Sequence, residues 1–246
     1  MYYPGQSVIC LSKTPRLFAR MLTSFWPPLT RHYSEGILIN NGGQDASNEL
    51  ASIYGWSSIV PGENLSFARG NNLAAKASQY SHLVLVNDDA ILDRGILQVL
   101  WDYRNYPIVG SVIRNNSGAI THHGGTFTSD LSPIHHTPEK PENVECSAPW
   151  VTFACVQIKH EIWDALGGLD EGYWYGHEDV DFCLRLIESG RGCALVAPNA
   201  NLRHDELGTR RPPGDNDGAE KFRQDWTAYR INALRERASL DVVWRN

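Results

Sequence analysis

The feature that most constrains the fold is a regular alternation of short apolar runs and amphipathic segments over the first hundred residues. Four β-rich runs are each followed by a segment whose apolar residues recur at helical spacing. The predicted strands are 7–11, 33–41, 57–60 and 82–86, and the predicted helices are 15–25, 45–54, 67–78 and 91–103. Strands that alternate with helices form parallel, doubly wound sheets. The sequence therefore predicts an α/β fold built on a mostly parallel sheet.

The second half of the sequence departs from this alternation. After a fifth predicted strand at 109–113, residues 117–129 contain the glycines of a hairpin, and 130–145 form a polar, proline-bearing stretch that we predict to be a mobile flap. The remaining predicted elements are strands 151–158 and 193–197 and helices 160–166, 178–189 and 219–237. The last helix carries charges of both signs, which indicates a solvated surface or a contact with a second copy of the chain.

Length, composition and charge exclude several classes of protein. A chain of 246 residues accommodates one α/β domain or two small ones, and a net charge of −6 without a basic run argues against binding to nucleic acid. No apolar run approaches the roughly 20 residues of a transmembrane helix, and the first residues lack an export signal. The five cysteines are scattered without CxxC spacing, so we expect them to be reduced and packed. We expect a cytoplasmic protein, and contact with a membrane surface stays open.

Polar residues follow two of the predicted parallel strands. They are Asn40, Asn41, Asn87, Asp88 and Asp89. Ligands of doubly wound sheets bind beyond the carboxyl ends of the strands, so we expect these side chains on one rim. The oxygen atoms of the aspartates suit Mg²⁺ or Mn²⁺, which use one or two protein carboxylates and complete their shells with diphosphate oxygens and water. Turn formation or helix capping would also explain the aspartates.

A loop rich in glycine and aromatic residues, 167–177, leads into the predicted helix 178–189. At about 100° per residue, one polar stripe contains Glu178, Asp181, Arg185, Glu188 and Ser189. We predict that this stripe is solvated, with an ion pair between Asp181 and Arg185. Asp179 points to the opposite, apolar side, where an unpaired carboxylate is costly to bury. Two interpretations stay open: a general base at the floor of a cleft and a capping carboxylate that favours the helix dipole.

Further candidate ligand contacts flank these motifs. Amides and a guanidinium that could form a wall for a base and ribose are Asn64, Arg69 and Asn72, and aromatic rings that could stack on sugars are Trp150, Tyr173, Trp174 and Tyr175. Core packing is the alternative for each ring, but three consecutive aromatic residues cannot all point inward. The adjacent histidines at 122–123 and 135–136 lack a clear metal-ligand spacing, and we predict surface or flap roles for them.

The motifs occur in the order Asn40-Asn41, 64–72 (NLSFARGNN), Asn87-Asp88-Asp89, 167–171 (GGLDE), 178–181 (EDVD) and His204. This order resembles that of glycosyltransferase family 2, the inverting enzymes with the GT-A fold, over about residues 7–210. The resemblance implies that Asp89 binds the metal, that His204 completes the metal site and that Asp179 is the catalytic base. It also implies a nucleotide-sugar-binding half at 1–115, an acceptor half at 116–210 with Glu178 among its contacts, and a helical tail at 211–246 within a single domain.

Two residues depart from the pattern of that family. Asn40 or Asn41 stands where the family has an acidic residue that contacts the base, and Asn87 replaces the first aspartate of the D-x-D motif. Rhamnosyltransferase-like relatives also carry asparagine at this first position. The implied metal site therefore rests on Asp89 and His204, although a histidine after a strand is also common in purely structural roles.

These observations lead to the hypothesis of an inverting, metal-dependent glycosyltransferase. It would move a sugar from a nucleotide diphosphate sugar to an acceptor hydroxyl in glycan or polysaccharide synthesis, with Mn²⁺ or Mg²⁺ as cofactor. Two alternatives remain at this stage. A nucleotidyltransferase would need a glycine-rich basic loop after the first strand, which residues 12–16 match poorly. A carbohydrate-binding protein would use the aromatic rings but has no need for Asp179 or Asp89.

Overall fold

The structure, a computed structural model, describes residues 1–138, 145–204, 217–236 and 238–244. The strands in these ranges are β1 (Tyr3–Ser12), β2 (Tyr33–Asn40), β3 (Ser57–Ile59), β4 (Tyr80–Asn87), β5 (Ala90–Leu92), β6 (Ile108–Arg114), β7 (Ile120–His122), β8 (Gly125–Phe127), β9 (Pro133–His135), β10 (Cys146–Ala148), β11 (Cys155–Lys159), β12 (Ala194–His204) and β13 (Val243–Trp244). The helices are α1 (Pro15–Phe25), α2 (Asp45–Ile53), α3 (Phe67–Ala77), α4 (Ile96–Asp102), α5 (His160–Ala165), α6 (Glu178–Glu188), α7 (Asp217–Asp225) and α8 (Ala228–Arg235).

A large mixed sheet forms the centre of the molecule. Its strand order is β13-β10-β12-β6-β11-β4-β1-β2-β3, with β5 paired to β12 and β7 paired to β6. The first four strands are parallel to one another, as the alternation predicts. β11 lies antiparallel between β4 and β6, whereas β6 and β12 are again parallel. The predicted α/β class with a mostly parallel sheet is confirmed, and the carboxyl ends of β1, β2 and β4 lie on one edge.

The core lies on both faces of the sheet. Ile9 belongs to the apolar cluster on one face, while its neighbours Val8 and Cys10 belong to the cluster on the other, and all three are fully buried. Residues on both faces are buried because helices cover each side of a doubly wound sheet. All five cysteines are free thiols, and each but Cys193 is buried, in agreement with the sequence prediction.

Three predicted elements differ from the structure because tertiary pairing overrides local pattern. The start of the predicted helix 91–103 is instead β5, which pairs with β12, and α4 begins only after Gly95, a residue at φ 86°. The predicted hairpin 117–129 is divided, since β7 pairs with β6 and β8 pairs with β9 across 128–132. Residues 139–144 of the predicted flap lie outside the described residues.

The C-terminal tail covers Asp181 in the polar stripe of α6, so the prediction that the stripe is solvated is wrong for this residue, whereas Glu188 and Ser189 at the end of the stripe are exposed. The predicted single helix 219–237 is divided into α7 and α8 at Trp226, whose indole N–H donates to Asp181 at 2.9 Å. Asp181 is consequently 4% exposed, and Glu178, which lines the cleft, is 8% exposed. The predicted ion pair is present, with Nε of Arg185 2.7 Å from the Asp181 carboxylate. Residues 205–216, between β12 and α7, lie outside the described residues.

Replacement of Asp181 by Ala is expected to lower the free energy of unfolding by about 2–4 kcal/mol, because it leaves a buried indole N–H and a half-buried guanidinium without their acceptor. Urea unfolding followed by tryptophan fluorescence measures the change. The matched control is Glu188→Ala, which removes a half-exposed ion pair between α6 and Arg230 of α8 and should cost less than about 1 kcal/mol. Equal losses in the two variants would contradict the buried role of Asp181.

Candidate active site

A cleft of about 1200 Å³ opens at the carboxyl ends of the parallel strands. The predicted site residues that line it are Asn41, Asn64, Asn87, Asp88, Asp89, Trp150, Trp174, Tyr175, Glu178, Asp179 and His204. The candidate metal ligands and the candidate base therefore face a single space, although they come from opposite halves of the chain. A cleft at this edge is where α/β sheets bind their ligands.

Two of the predicted donor contacts, Asn40 and Arg69, do not line the cleft. The amide of Asn40 donates to the Gln44 carbonyl at 2.8 Å and accepts from the Gln44 N–H at 3.3 Å, so it shapes the turn before α2. The guanidinium of Arg69 is paired with Glu63 at 2.9 Å on the surface. Both residues belong to segments that border the cleft, but their side chains point away from it.

Asn72 and Tyr173 also lie away from the cleft, and both support the loop that precedes α6. The Asn72 side chain donates to the Leu169 carbonyl and accepts from its N–H, each at 2.9 Å. The ring of Tyr173 is fully buried and its hydroxyl donates to Asp225 at 2.9 Å. Tyr173 is thus removed from the candidate acceptor contacts, whereas the next two aromatic residues are exposed at the cleft.

Asn41 builds one wall of the cleft by binding the segment before α3. Its Oδ1 accepts from the Leu65 N–H at 2.8 Å, and its Nδ2 donates to the Leu65 carbonyl at 2.9 Å and to Oδ1 of Asn64 at 3.0 Å. The Asn41 side chain thus satisfies both backbone polar groups of Leu65, as a neighbouring strand would. This arrangement holds the exposed Asn64 at the cleft.

The two aspartates after β4 have different environments. Asp88 accepts a 2.6 Å hydrogen bond from the Ser12 hydroxyl, and burial raises its pKa to about 6, with a smaller upward contribution from the charge of Asp89. Asp89 is 8% exposed, and its Oδ1 lies 2.8 Å from Nε2 of His204. The carboxylate next to the histidine is therefore Asp89.

His204 reaches Asp89 because β12 continues past its predicted end at 197 and pairs with β5. In this antiparallel register, His204 lies opposite Ala90, the residue after Asp89. Its Nε2 also lies 3.3 Å from the amide nitrogen of Asn87. Among the described residues, no group of three or more His, Cys, Asp or Glu side chains is arranged to hold a metal ion. A divalent cation at Asp89 and His204 would thus take most of its ligands from phosphate and water.

Asp179 is the second residue of α6, which begins directly after His177, a residue with a left-handed φ of 71°. Burial raises the pKa of its carboxyl to about 6, against the opposing effect of hydrogen bonds from the Val180 and Phe153 N–H groups and the Thr152 hydroxyl. The Val180 bond is 2.8 Å long. The effect of burial on the pKa is therefore larger than the combined effect of these hydrogen bonds. The carboxylate is ionised at neutral pH and is a stronger base than an exposed aspartate.

Several cleft residues were missed as ligand contacts by the sequence analysis. They are Lys13, Thr14, His122, His135 and Thr152. Lys13 and Thr14 follow β1, so the strand-end rule that selected Asn41 could have found them. The surface or flap prediction is wrong for the first histidine pair, since both of its members are 1% exposed. Their burial depends on the pairing of β7 with β6 and of β8 with β9, for which the sequence carries no local signal.

The fold is the GT-A fold of glycosyltransferases. A crystal structure described as GalNAc-T7 with UDP, GalNAc and Mn²⁺ superimposes with a TM-score of 0.74, at 13% sequence identity, over 94% of this chain and 50% of that one. At this identity the likeness shows the fold alone. No family model matches the sequence.

Two curated relatives are named for glycan synthesis. The O-antigen biosynthesis protein RfbC of Myxococcus xanthus is 31% identical over 155 residues, which are 57% of this chain and 12% of RfbC. The low-salt glycan biosynthesis hexosyltransferase Agl10 of Haloferax volcanii is 20% identical over 163 residues, 62% of this chain and 53% of that protein. The chain thus spans from about an eighth to about half of these relatives, which support a glycosyltransferase. Within the described residues, no helix combines the length and apolar character needed to cross a bilayer.

Proposed function

We propose that this chain is an inverting, metal-dependent glycosyltransferase that moves a sugar from a nucleotide diphosphate sugar to an acceptor hydroxyl in glycan or polysaccharide synthesis. The observation that carries the proposal is the shared cleft, in which Asp179 faces the same space as Asp89 and His204. The GT-A fold and the names of the two relatives support it. The reaction needs a base for the acceptor proton and a means to stabilise the departing diphosphate.

Asp179 is the proposed base. Its ionised carboxylate accepts the proton of the acceptor hydroxyl as the oxygen attacks the anomeric carbon from the face opposite the leaving diphosphate, so the configuration inverts. Three hydrogen-bond donors orient the carboxylate, while its burial keeps the pKa near 6 and so preserves basicity. Glu178, Trp174 and Tyr175 line the same part of the cleft and are proposed acceptor contacts.

Asp89 and His204 are the proposed ligands of Mn²⁺ or Mg²⁺. A carboxylate oxygen and an imidazole nitrogen 2.8 Å apart match the ligand types of Mn²⁺. Such an ion, when bound, neutralises negative charge on a diphosphate. Asn87, beside His204, adds no charge to the site. Elsewhere in the cleft lining, Asn41 holds Asn64, a proposed contact for the base and ribose, and Lys13, next to Asp88, would add a positive charge for the diphosphate.

A panel of UDP-, dTDP- and GDP-linked hexoses, incubated with the protein and Mn²⁺, tests the proposal. Release of the nucleoside diphosphate by hydrolysis or by transfer to a hydroxyl acceptor is the expected result. Exchange that depends on pyrophosphate would instead identify a nucleotidyltransferase. Sugar binding without turnover of any donor would identify a carbohydrate-binding protein.

The raised pKa of Asp179 predicts an acidic limb in the pH profile. Below pH 6 the carboxylate is protonated, so kcat/KM for transfer should fall about tenfold per pH unit. The effect on stability has the opposite sign. Because the folded pKa lies above the model-peptide value of 3.8, ionisation of Asp179 opposes folding, and its contribution to stability is lost as the pH rises from about 4 through 6. Asp179→Asn should therefore melt higher than the native protein at pH 7.5 and not at pH 4. A flat activity profile from pH 5 to 8 would contradict the assignment.

A further inference from the structure

Two histidines that the proposed mechanism does not use form a pair in the wall of the cleft. Nδ1 of His122 lies 2.8 Å from Nδ1 of His135, at the ends of β7 and β9. Both residues line the cleft; His122 is 1% exposed, whereas His135 is exposed. A molecule in the cleft therefore meets this pair through His135.

The buried member fixes the hydrogen-bonding role of the exposed one. Nε2 of His122 accepts a hydrogen bond from the Thr152 N–H at 3.2 Å, so it carries no proton. Burial lowers the pKa of His122 well below its ordinary value, and the neutral ring must then carry its proton on Nδ1. That proton is donated to Nδ1 of His135. A neutral His135 consequently holds its own proton on Nε2, where it is a hydrogen-bond donor.

Packing around Trp150 holds the pair in this geometry. The indole centroid lies 5.3 Å from the His122 ring and 5.1 Å from the His135 ring, and its N–H donates to the Thr126 carbonyl at 3.1 Å. The indole also lies against Gly125, where a Cβ atom would be 1.9 Å from the ring. The donor on His135 is therefore carried by a rigid wall, as precise recognition of a ligand group requires.

Thr152 connects the pair to the candidate base. Its backbone N–H donates to His122, and its hydroxyl donates to the carboxylate of Asp179. A single residue thus orients both the base and the ring that sets the proton position of His135. This link places the histidine pair on the acceptor side of the cleft, since Asp179 takes its proton from the acceptor.

We propose that His135 is an acceptor-binding residue, whose Nε2–H donates a hydrogen bond to a ring hydroxyl of a pyranoside acceptor beside the hydroxyl that Asp179 deprotonates. This inference rests on the proposed function, because it presupposes transfer to a hydroxyl. A neutral N–H donor matches a hydroxyl oxygen. The exposed rings of Trp174 and Tyr175, which line the same cleft, provide apolar faces suited to a sugar.

The test separates acceptor recognition from donor chemistry. With a donor from the nucleotide-sugar panel and p-nitrophenyl hexopyranosides as acceptor probes, His135→Ala should raise the KM for the glycoside at least about tenfold, the equivalent of one hydrogen bond. The KM for the donor should change by less than about twofold, which separates the loss of an acceptor contact from a general disturbance of the cleft. His135→Gln, which restores an N–H near Nε2, should recover most of the loss. The matched control is His136→Ala, because the His136 ring lies beside Trp244 and not at the cleft.

The possible outcomes distinguish failure of this inference from failure of the proposed function. An unchanged glycoside KM in His135→Ala would overturn the inference, and so would an equal increase in His136→Ala. Donor hydrolysis without transfer to any glycoside of the panel would overturn the pyranoside acceptor while the glycosyltransferase proposal stands. Turnover of no donor by the native protein would overturn both.

Discussion

Asp179→Asn is expected to reduce glycosyl transfer by at least about a thousandfold, while the protein folds and binds nucleotide as before. The amide has the shape of the carboxylate and can still accept the 2.8 Å hydrogen bond from the Val180 N–H. It cannot accept a proton from the acceptor hydroxyl, and general-base catalysis contributes about 10²–10⁴ to such rates. Steady-state transfer assays with the donor identified from the panel measure the loss.

Two controls test whether the loss of transfer in Asp179→Asn is specific to the catalytic step. Thermal shifts with the nucleoside diphosphate and Mn²⁺ should be the same for Asp179→Asn and the native protein, because a ligand that binds the folded state raises its melting temperature. Glu178→Gln changes the neighbouring carboxylate in the same cleft and should cost much less than Asp179→Asn. If nucleotide binding fell as far in Asp179→Asn as in a variant of Asp89, separate roles for the two carboxylates would be excluded.

Local patterns in the sequence were sufficient for most of the regular elements. Pro15–Phe25 begins at Thr14, whose side chain caps the helix, and Phe67–Ala77 begins at Ser66 in the same way; such start signals are contained within a few residues. The exception at Ala90–Leu92 has a distant cause. Its residues pair with Leu202–His204, more than a hundred positions later, and no local period reports such a partner.

The candidate site, too, could be predicted from the sequence only in part. Positions after strands could be predicted, because topology alone brings the carboxyl ends of parallel strands to one edge. The directions of the side chains could not be predicted. Asn40 and Asn41 are adjacent, yet the first side chain points toward Gln44 and the second lines the cleft. Burial by elements that are distant in sequence could not be predicted either. The helical pattern predicts an exposed Asp181, but Trp226 of the C-terminal tail covers it.

Asp89→Asn is expected to abolish the dependence of nucleotide binding on Mn²⁺ and to reduce transfer by about 10²–10³, the loss typical when a group that stabilises developing charge is removed. The substitution keeps the size of the side chain and an oxygen near Nε2 of His204, which lies 2.8 Å from the native carboxylate, so the fold should be retained. It removes the negative charge that makes Asp89 a ligand for a hard cation.

The decisive measurement is a titration of the nucleoside diphosphate by calorimetry, in Mn²⁺ and again in EDTA. In the native protein Mn²⁺ should tighten binding at least about tenfold, whereas in Asp89→Asn the two affinities should coincide at the weaker, metal-free value. Asp93→Asn is the matched control, since this exposed carboxylate lies four residues further along and outside the cleft. Retention of the full Mn²⁺ effect in Asp89→Asn would contradict the proposal that Asp89 and His204 bind the metal. The diphosphate would then have to be stabilised by Lys13, a positively charged residue in the lining of the cleft.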